Sequence, residues 1–353
     1  MSNTPFWPAE WAPQDGVLIA WPHAGTDWAG NLADVEHTYT RLLAAIAGRQ
    51  TAIVCVPDAA LAQRVVAIAR TAGVAPQRLR LVTLPYDDTW LRDSGPLTLI
   101  DGDRHQLLDF RFTGWGGKFD ANQDDRIVAN LVELGLFRPG SVHHHLPFVL
   151  EGGAVETDGE GSLLSTWHCL ATRHPQRSRE QIEATLTQTL KVDRFLWLEN
   201  GALAGDDTDA HIDTLARFVS PQAIAYQACD DRGDGHYPAL SAMAAELAQL
   251  RTRDGQPYQL HALPWPKPVH DADGRRLAAS YANFLVINGA VLMPGYDDAD
   301  SPCPATDAAA AEVLARAFPG RQVEIIPCRP LIEQNGSLHC ITMQLPEGVL
   351  ADV

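Results

Sequence analysis

Residues Leu97–Leu146 read LTLIDGDRHQLLDFRFTGWGGKFDANQDDRIVANLVELGLFRPGSVHHHL. Two short apolar runs, Leu97–Ile100 and Gln106–Phe112, have the length and composition of buried strands. A helical stretch follows at Asp124–Leu134, then a third strand at Val142–Leu146. The order is strand, strand, helix, strand. The same order fits Ala154–Leu198, then Ile212–Ala262, then Tyr281–Ile326, although the sequence itself does not repeat. A fifth unit requires the C-terminal strand Ser337–Leu345 to join the N-terminal segment Gly16–Val56. Five such blades would close a ring and hide the sheet edges. A generic α/β sheet with irregular additions fits the same elements, and the pattern alone leaves the two open.

Outside that stretch the chain alternates in the same manner. Strands are expected at Gly16–Trp21, Thr51–Val56, Leu79–Leu84, Ile212–Val219 and Ser337–Leu345, among others. Helices are expected at Leu32–Ala47, Ala59–Ala72, Ser178–Leu190, Pro238–Leu250 and Thr306–Ala317. Ser178 with Gln181 reads as a capping box, as does Thr306 followed by small helix formers. Leu263–Pro268 and Asp271–Arg276 read as one exposed loop.

The 353 residues are 46% hydrophobic and 20% charged, ordinary for a packed enzyme. The formal charge of −17 argues against a nucleic-acid partner and suits a cationic ligand. The first residues carry no basic stretch ahead of an apolar run, and no run approaches the ~20 residues that span a bilayer. A cytoplasmic protein with no membrane partner is expected. The six cysteines are scattered without a CxxC pair, so neither a disulfide framework nor a cysteine-rich zinc site is indicated.

Four segments stand out by composition: Trp90–Pro96 (WLRDSGP), Leu150–Gly153 (LEGG), Gly205–Asp213 (GDDTDAHID) and Gln334–Cys340 (QNGSLHC). Each lies at or just before a strand that opens a unit, so a closed ring would turn all four towards one axis. His211 and Asp213 are two apart, and on a strand they would share a face. An imidazole beside a carboxylate can move protons and bind a cation. Read alone, the segment is an acidic turn. His339 and Cys340 are neighbours, so a strand would point them apart, which makes His211 the better partner for Cys340. Gly152 and Gly153 would let the backbone approach a ligand beside Glu151. Arg92 and Asp93 also read as an ion-paired turn. His143 and His145 would share a strand face, but no third zinc ligand has suitable spacing, and no metal site is expected.

Together these segments resemble the agmatine deiminase family, a branch of the guanidine-modifying (pentein) superfamily. The matching stretches are Trp90–Pro96, Leu150–Gly153 with Asp158–Gly161, Asp206–Asp213, Pro294–Asp298 and Gly336–Gln344, along with Pro8–Trp11 and Ala20–Pro22. They occur in order over essentially the whole chain. The resemblance implies a five-bladed α/β propeller of ββαβ-type repeats, residues 1–353 forming a single domain. It implies Cys340 as nucleophile and His211 as general acid/base. Asp93 and Asp213 would grip the guanidinium, and Glu151 would support the histidine. Two departures are Ala210, where glycine is usual, and Gln334–Ser337 in place of a glycine-rich run.

The implied reaction is hydrolysis of agmatine to N-carbamoylputrescine and ammonia through a covalent Cys340 intermediate, a step towards putrescine, with no cofactor. Asp206, Asp207 or Asp209 would meet the distal ammonium, and Trp90 or Trp115 would pack on the alkyl chain. A homo-oligomer is compatible with all of this. The rival readings are a peptidyl-arginine or free-arginine deiminase, an amidinotransferase, and a catalytically idle sensor of guanidines or polyamines.

Overall fold

The computed structural model describes residues 4–297 and 304–352. The chain divides into two compact units, Met1–Gly152 with Cys340–Val353, and Gly153–His339. The fold is α/β and consists of small sheets built on the expected repeat.

In the first unit, one sheet orders Met343–Pro346, Gln14–Ala20, Thr51–Val56 and Leu79–Thr83. The C-terminal strand runs antiparallel to Gln14–Ala20, with Leu18 opposite Met343. The other two pairings are parallel and are reached through helices Leu32–Ala47 and Ala59–Thr71. The expected union of the chain's two ends therefore forms. The central strand TAIVCV is an unbroken apolar run, as a strand covered on both faces must be. Leu32–Ala47 buries Val35, Tyr39, Leu42, Leu43 and Ile46, the spacing of one helical face. A second sheet joins Leu97–Asp101, Arg104–Arg111 and Val142–Val149.

The second unit holds three sheets of the same kind. Their strands are Val155–Thr157, Ser162–Thr166 and Arg194–Leu198; Ala216–Ser220, Ala223–Gln227 and Gln259–Leu263; and Leu285–Ile287, Ala290–Gly295 and Gln322–Pro327. In each sheet the first pair is antiparallel and the second is parallel. The hairpin at Ile287–Ala290 turns on Asn288-Gly289, and Gly289 takes a φ of 72° that side chains resist. Helix Arg179–Leu190 carries the expected Ser178–Gln181 capping box and buries Ile182, Leu186 and Leu190. Among the described residues no helix is long and apolar enough to cross a membrane.

Four local expectations change. Ile212–Thr214 is a 3-10 turn, and its strand starts only at Ala216. The strand expected from Tyr281 starts at Leu285, because Tyr281 is held by side chains: its amide donates to Gln227 Oε1 and its hydroxyl to Asp307 Oδ1. Residues 337–342 are irregular, and the final strand is only Met343–Pro346. The helix expected to begin with Thr306 begins at Pro304, so Thr306 lies inside it; proline tolerates the first turn because its missing N–H has no helical partner there. Asp298, the last residue of the Pro294–Asp298 motif, lies outside the described residues.

Candidate active site

Trp90–Pro96 folds as the one-turn helix Leu91–Ser94 leading into the strand Leu97–Asp101. Asp93 is 4% exposed, and its Oδ2 accepts the Trp115 indole N–H at 2.9 Å. Trp115 lies between glycines with φ 55° and ψ 47°, a left-handed conformation that costs a side chain on the order of 1 kcal/mol. Edge-on packing against Phe112, Phe119 and Trp90 holds it there. Trp90 packs in turn on Trp28, whose indole donates to Thr89 Oγ1. An aromatic wall of three tryptophans thus flanks the carboxylate.

Gly152 was expected to admit a ligand; within this unit it admits backbone instead. A Cβ on Gly152 would stand 2.1 Å from the Arg92 carbonyl oxygen. The Arg92 N–H donates to the Cys340 carbonyl at 3.1 Å. The Asp93 turn, the Glu151-Gly152 segment and the Cys340 segment are thereby packed backbone to backbone. Arg92 itself is the ion-paired residue of the plainer reading: its guanidinium is buried 3.5 Å from Glu10 Oε2. Glu151 is fully buried and Cys340 is 4% exposed.

In the second unit, Gly205–Asp213 is a tight loop that uses its own acids. Asp206 accepts the N–H groups of Thr208 and Ala210, at 2.9 and 2.8 Å. Asp209 pairs with Arg173 at 2.6 Å, and Arg173 also donates to the Thr208 carbonyl. Asp207 accepts Asn335 Nδ2 at 2.8 Å. All three acids thus accept hydrogen bonds within this unit, as the acidic-turn reading has it. Asp209 and Ala210 have φ of 66° and 69°, which explains why glycine is usual at position 210.

The loop delivers His211 and Asp213, both fully buried, into the core of this unit. Because His211 caps a 3-10 turn and Asp213 lies inside it, the strand-face argument does not position them. Asp213 is positioned by partners far away in the chain. His339 Nδ1 lies 2.7 Å from Asp213 Oδ2, and Asn283 Nδ2 donates to the Asp213 carbonyl. The Asn283 side-chain oxygen accepts the His339 amide at 2.8 Å. Burial opposes ionisation of Asp213. The His339 bond and the charges of His339, His211 and Arg217 outweigh it, and hold the carboxyl below its ordinary value. Arg217 is itself fully buried and pairs with Glu156 at 2.6 Å.

Sequence reasoning set His339 aside because strand neighbours face apart, and it missed Asn283, Arg217 and Glu156. None of these four stands out by spacing. A polar residue in an apolar run, as Asn283 is in YANFLVI, was the available signal. His143 and His145 do share a face: both approach Asp109 Oδ2, at 2.8 and 3.4 Å.

Buried acids, an imidazole and a thiol are rare in a core, where ionisable groups are normally excluded. Such groups gather where chemistry is done. Known proteins resemble the chain over nearly its whole length. The chain resembles the agmatine deiminase of Stutzerimonas stutzeri (strain A1501), at 35% identity over 97% of this chain and 95% of that one. A solved structure from Porphyromonas gingivalis, provisionally described as an arginine deiminase, is 47% identical. It covers 99% of this chain and 100% of its own, with a TM-score of 0.88. The C. jejuni agmatine deiminase, solved as a cysteine-to-serine variant with substrate bound, is 31% identical. It covers 98% of this chain and 97% of its own, with a TM-score of 0.86. Residues 6–346 match the family described as Porphyromonas-type peptidyl-arginine deiminase. The chain belongs to that family, within the guanidine-modifying enzymes of the pentein fold.

Proposed function

We propose that this protein hydrolyses agmatine to N-carbamoylputrescine and ammonia, with Cys340 as the covalent nucleophile. One observation carries the reading: Asp93, Glu151, Cys340, His211 and Asp213 are all buried in a chain 35% identical to an agmatine deiminase over nearly its full length.

A guanidinium is planar and cationic, and its carbon is a poor electrophile. Asp93 and Asp213 clamp its nitrogens through charge-assisted hydrogen bonds and orient the carbon towards Cys340. An ionised Asp213 is what that clamp requires. The thiolate attacks, forming a C–S bond and a tetrahedral adduct. His211 gives its proton to one nitrogen, and the C–N bond breaks with release of ammonia. The amidino-cysteine that remains is attacked by water while His211 takes a water proton. Collapse expels the thiolate and leaves the ureido product. Two moderate barriers replace one high one. Glu151 supports the histidine through this cycle. Trp90 and Trp115 line the alkyl chain, and Asp206, Asp207 or Asp209 meets the distal ammonium.

The Porphyromonas gingivalis relative supports a second reading, deimination of free arginine. That substrate needs a cation for its α-carboxylate, and Arg92 and Arg173 are already paired with acids. The test is ammonia and ureido product measured with agmatine, arginine and a blocked arginine peptide. Product from agmatine alone supports the first reading; preference for arginine or the peptide overturns it. A Cys340→Ser enzyme with normal turnover would remove the nucleophile.

A further inference from the structure

We propose that His339 is a positioning residue for guanidinium binding: it holds the Asp213 carboxylate in place, with Asn283 locking the pair. The inference rests on the guanidine-hydrolase reading above and goes one residue beyond the catalytic set.

Three hydrogen bonds form a closed loop. His339 Nδ1 meets Asp213 Oδ2 at 2.7 Å, Asn283 Nδ2 donates to the Asp213 carbonyl at 3.2 Å, and Asn283 Oδ1 accepts the His339 amide at 2.8 Å. His339 is 2% exposed, and Asp213 and Asn283 are fully buried. A carboxylate withdrawn from water rotates and protonates unless donors hold it. His339 bonds to the Asp213 carboxylate itself, and Asn283 bonds to its carbonyl. His211 and Arg217 act by charge, and Glu156 neutralises much of Arg217. The imidazole thus fixes one carboxylate oxygen of Asp213. His339 is also joined by its peptide bond to Cys340.

The experiment compares wild type, His339→Ala and His339→Asn for KM, kcat and the pH profile of kcat/KM. The asparagine Nδ2 can stand where the imidazole Nδ1 stands. In His339→Ala we expect KM for agmatine to rise roughly 10- to 100-fold, the cost of a lost bond to a charged group. We also expect the acid limb of kcat/KM to move to higher pH. His339→Asn should restore most of the KM and less of the pH shift, because it returns the bond without the charge. A merely structural role would lower the folded fraction in both variants and leave KM and the acid limb alone. An alanine variant with wild-type KM and acid limb, or a folded asparagine variant no better than alanine, overturns the proposal.

Should His339→Ala not fold, histidine-ring NMR of wild type and Asp213→Asn decides. One imidazole pKa should fall in the variant, and unchanged titrations refute the pairing. If wild type releases no ammonia from agmatine, the agmatine reading fails by itself. The kinetic comparison then runs on whichever guanidine the wild type hydrolyses, and the NMR comparison needs no substrate.

Discussion

Replacing Gly152 with alanine tests whether backbone packing sets the position of Asp93. Gly152 does not have a left-handed φ, so alanine meets no backbone objection there. What it meets is the Arg92 carbonyl oxygen at 2.1 Å, with the Arg92 carbonyl carbon and Met343 Cε each at 3.3 Å. Real Cβ atoms essentially never come within 3.0 Å of a neighbour, so the Arg92 carbonyl must retreat by about 0.9 Å. That carbonyl belongs to the peptide that bears Asp93, and the Arg92 amide is bonded to the Cys340 carbonyl. A displacement near 1 Å at a catalytic group costs on the order of 100-fold in rate. The overpacking itself costs about 1–3 kcal/mol of stability. We expect Gly152→Ala to stay folded, melt a few degrees lower, and lose roughly 100-fold in kcat/KM for the guanidine substrate. Gly30→Ala, whose Cβ meets nothing within 4 Å, is the control and should match wild type. A Gly152→Ala enzyme within threefold of wild-type kcat/KM would show that the close approach does not position Asp93.

Ala210→Gly should stabilise the protein by roughly 0.5–1 kcal/mol by relieving the φ of 69°, read as a higher unfolding midpoint; a lower midpoint refutes the strain. Trp115→Phe removes the N–H that Asp93 accepts and should lower kcat/KM at least about tenfold, the value of a bond to a charged group, measured by steady-state ammonia release. Asp88 and Asp124 titrate near 7. Burial is the leading cause for both, and neighbouring acids add to it. Each folded pKa lies above the unfolded value of about 4, so the folded state binds more protons in between. The corresponding stability is fully present below about pH 4 and is lost as pH rises through 7. Melting temperature should therefore fall from pH 5.5 to pH 8, and Asp88→Asn should flatten that fall while its oxygen still accepts the Thr89 amide; an unchanged slope refutes the assignment.

The repeat was legible because each blade is a local object. Hairpins, capped helices and apolar strands follow from residues within about fifty positions of one another, and the strand Thr51–Val56 and the helix Leu32–Ala47 fall where their composition puts them. The site was less legible. Ser337–Leu345 alternates like a strand, yet the His339 amide goes to the Asn283 side chain and the Cys340 carbonyl accepts the Arg92 amide, with no ladder partner for either. His211–Asp213 likewise obeys a loop built by Asp206, not a pleat. The partner of Asp213 lies 126 positions away, and no periodicity reports a contact of that range. The resemblance supplied the residue types, and only the fold supplied what holds them.

The strand Met343–Pro346, paired against Gln14–Ala20, has a consequence for truncated chains. Cys340 sits three positions ahead of that strand. A chain lacking residues 343–346 leaves one margin of Gln14–Ala20 without its antiparallel partner. The segment that carries Cys340 then loses its anchor in the sheet. Loss of the final dozen residues should abolish turnover even where most helices and sheets survive.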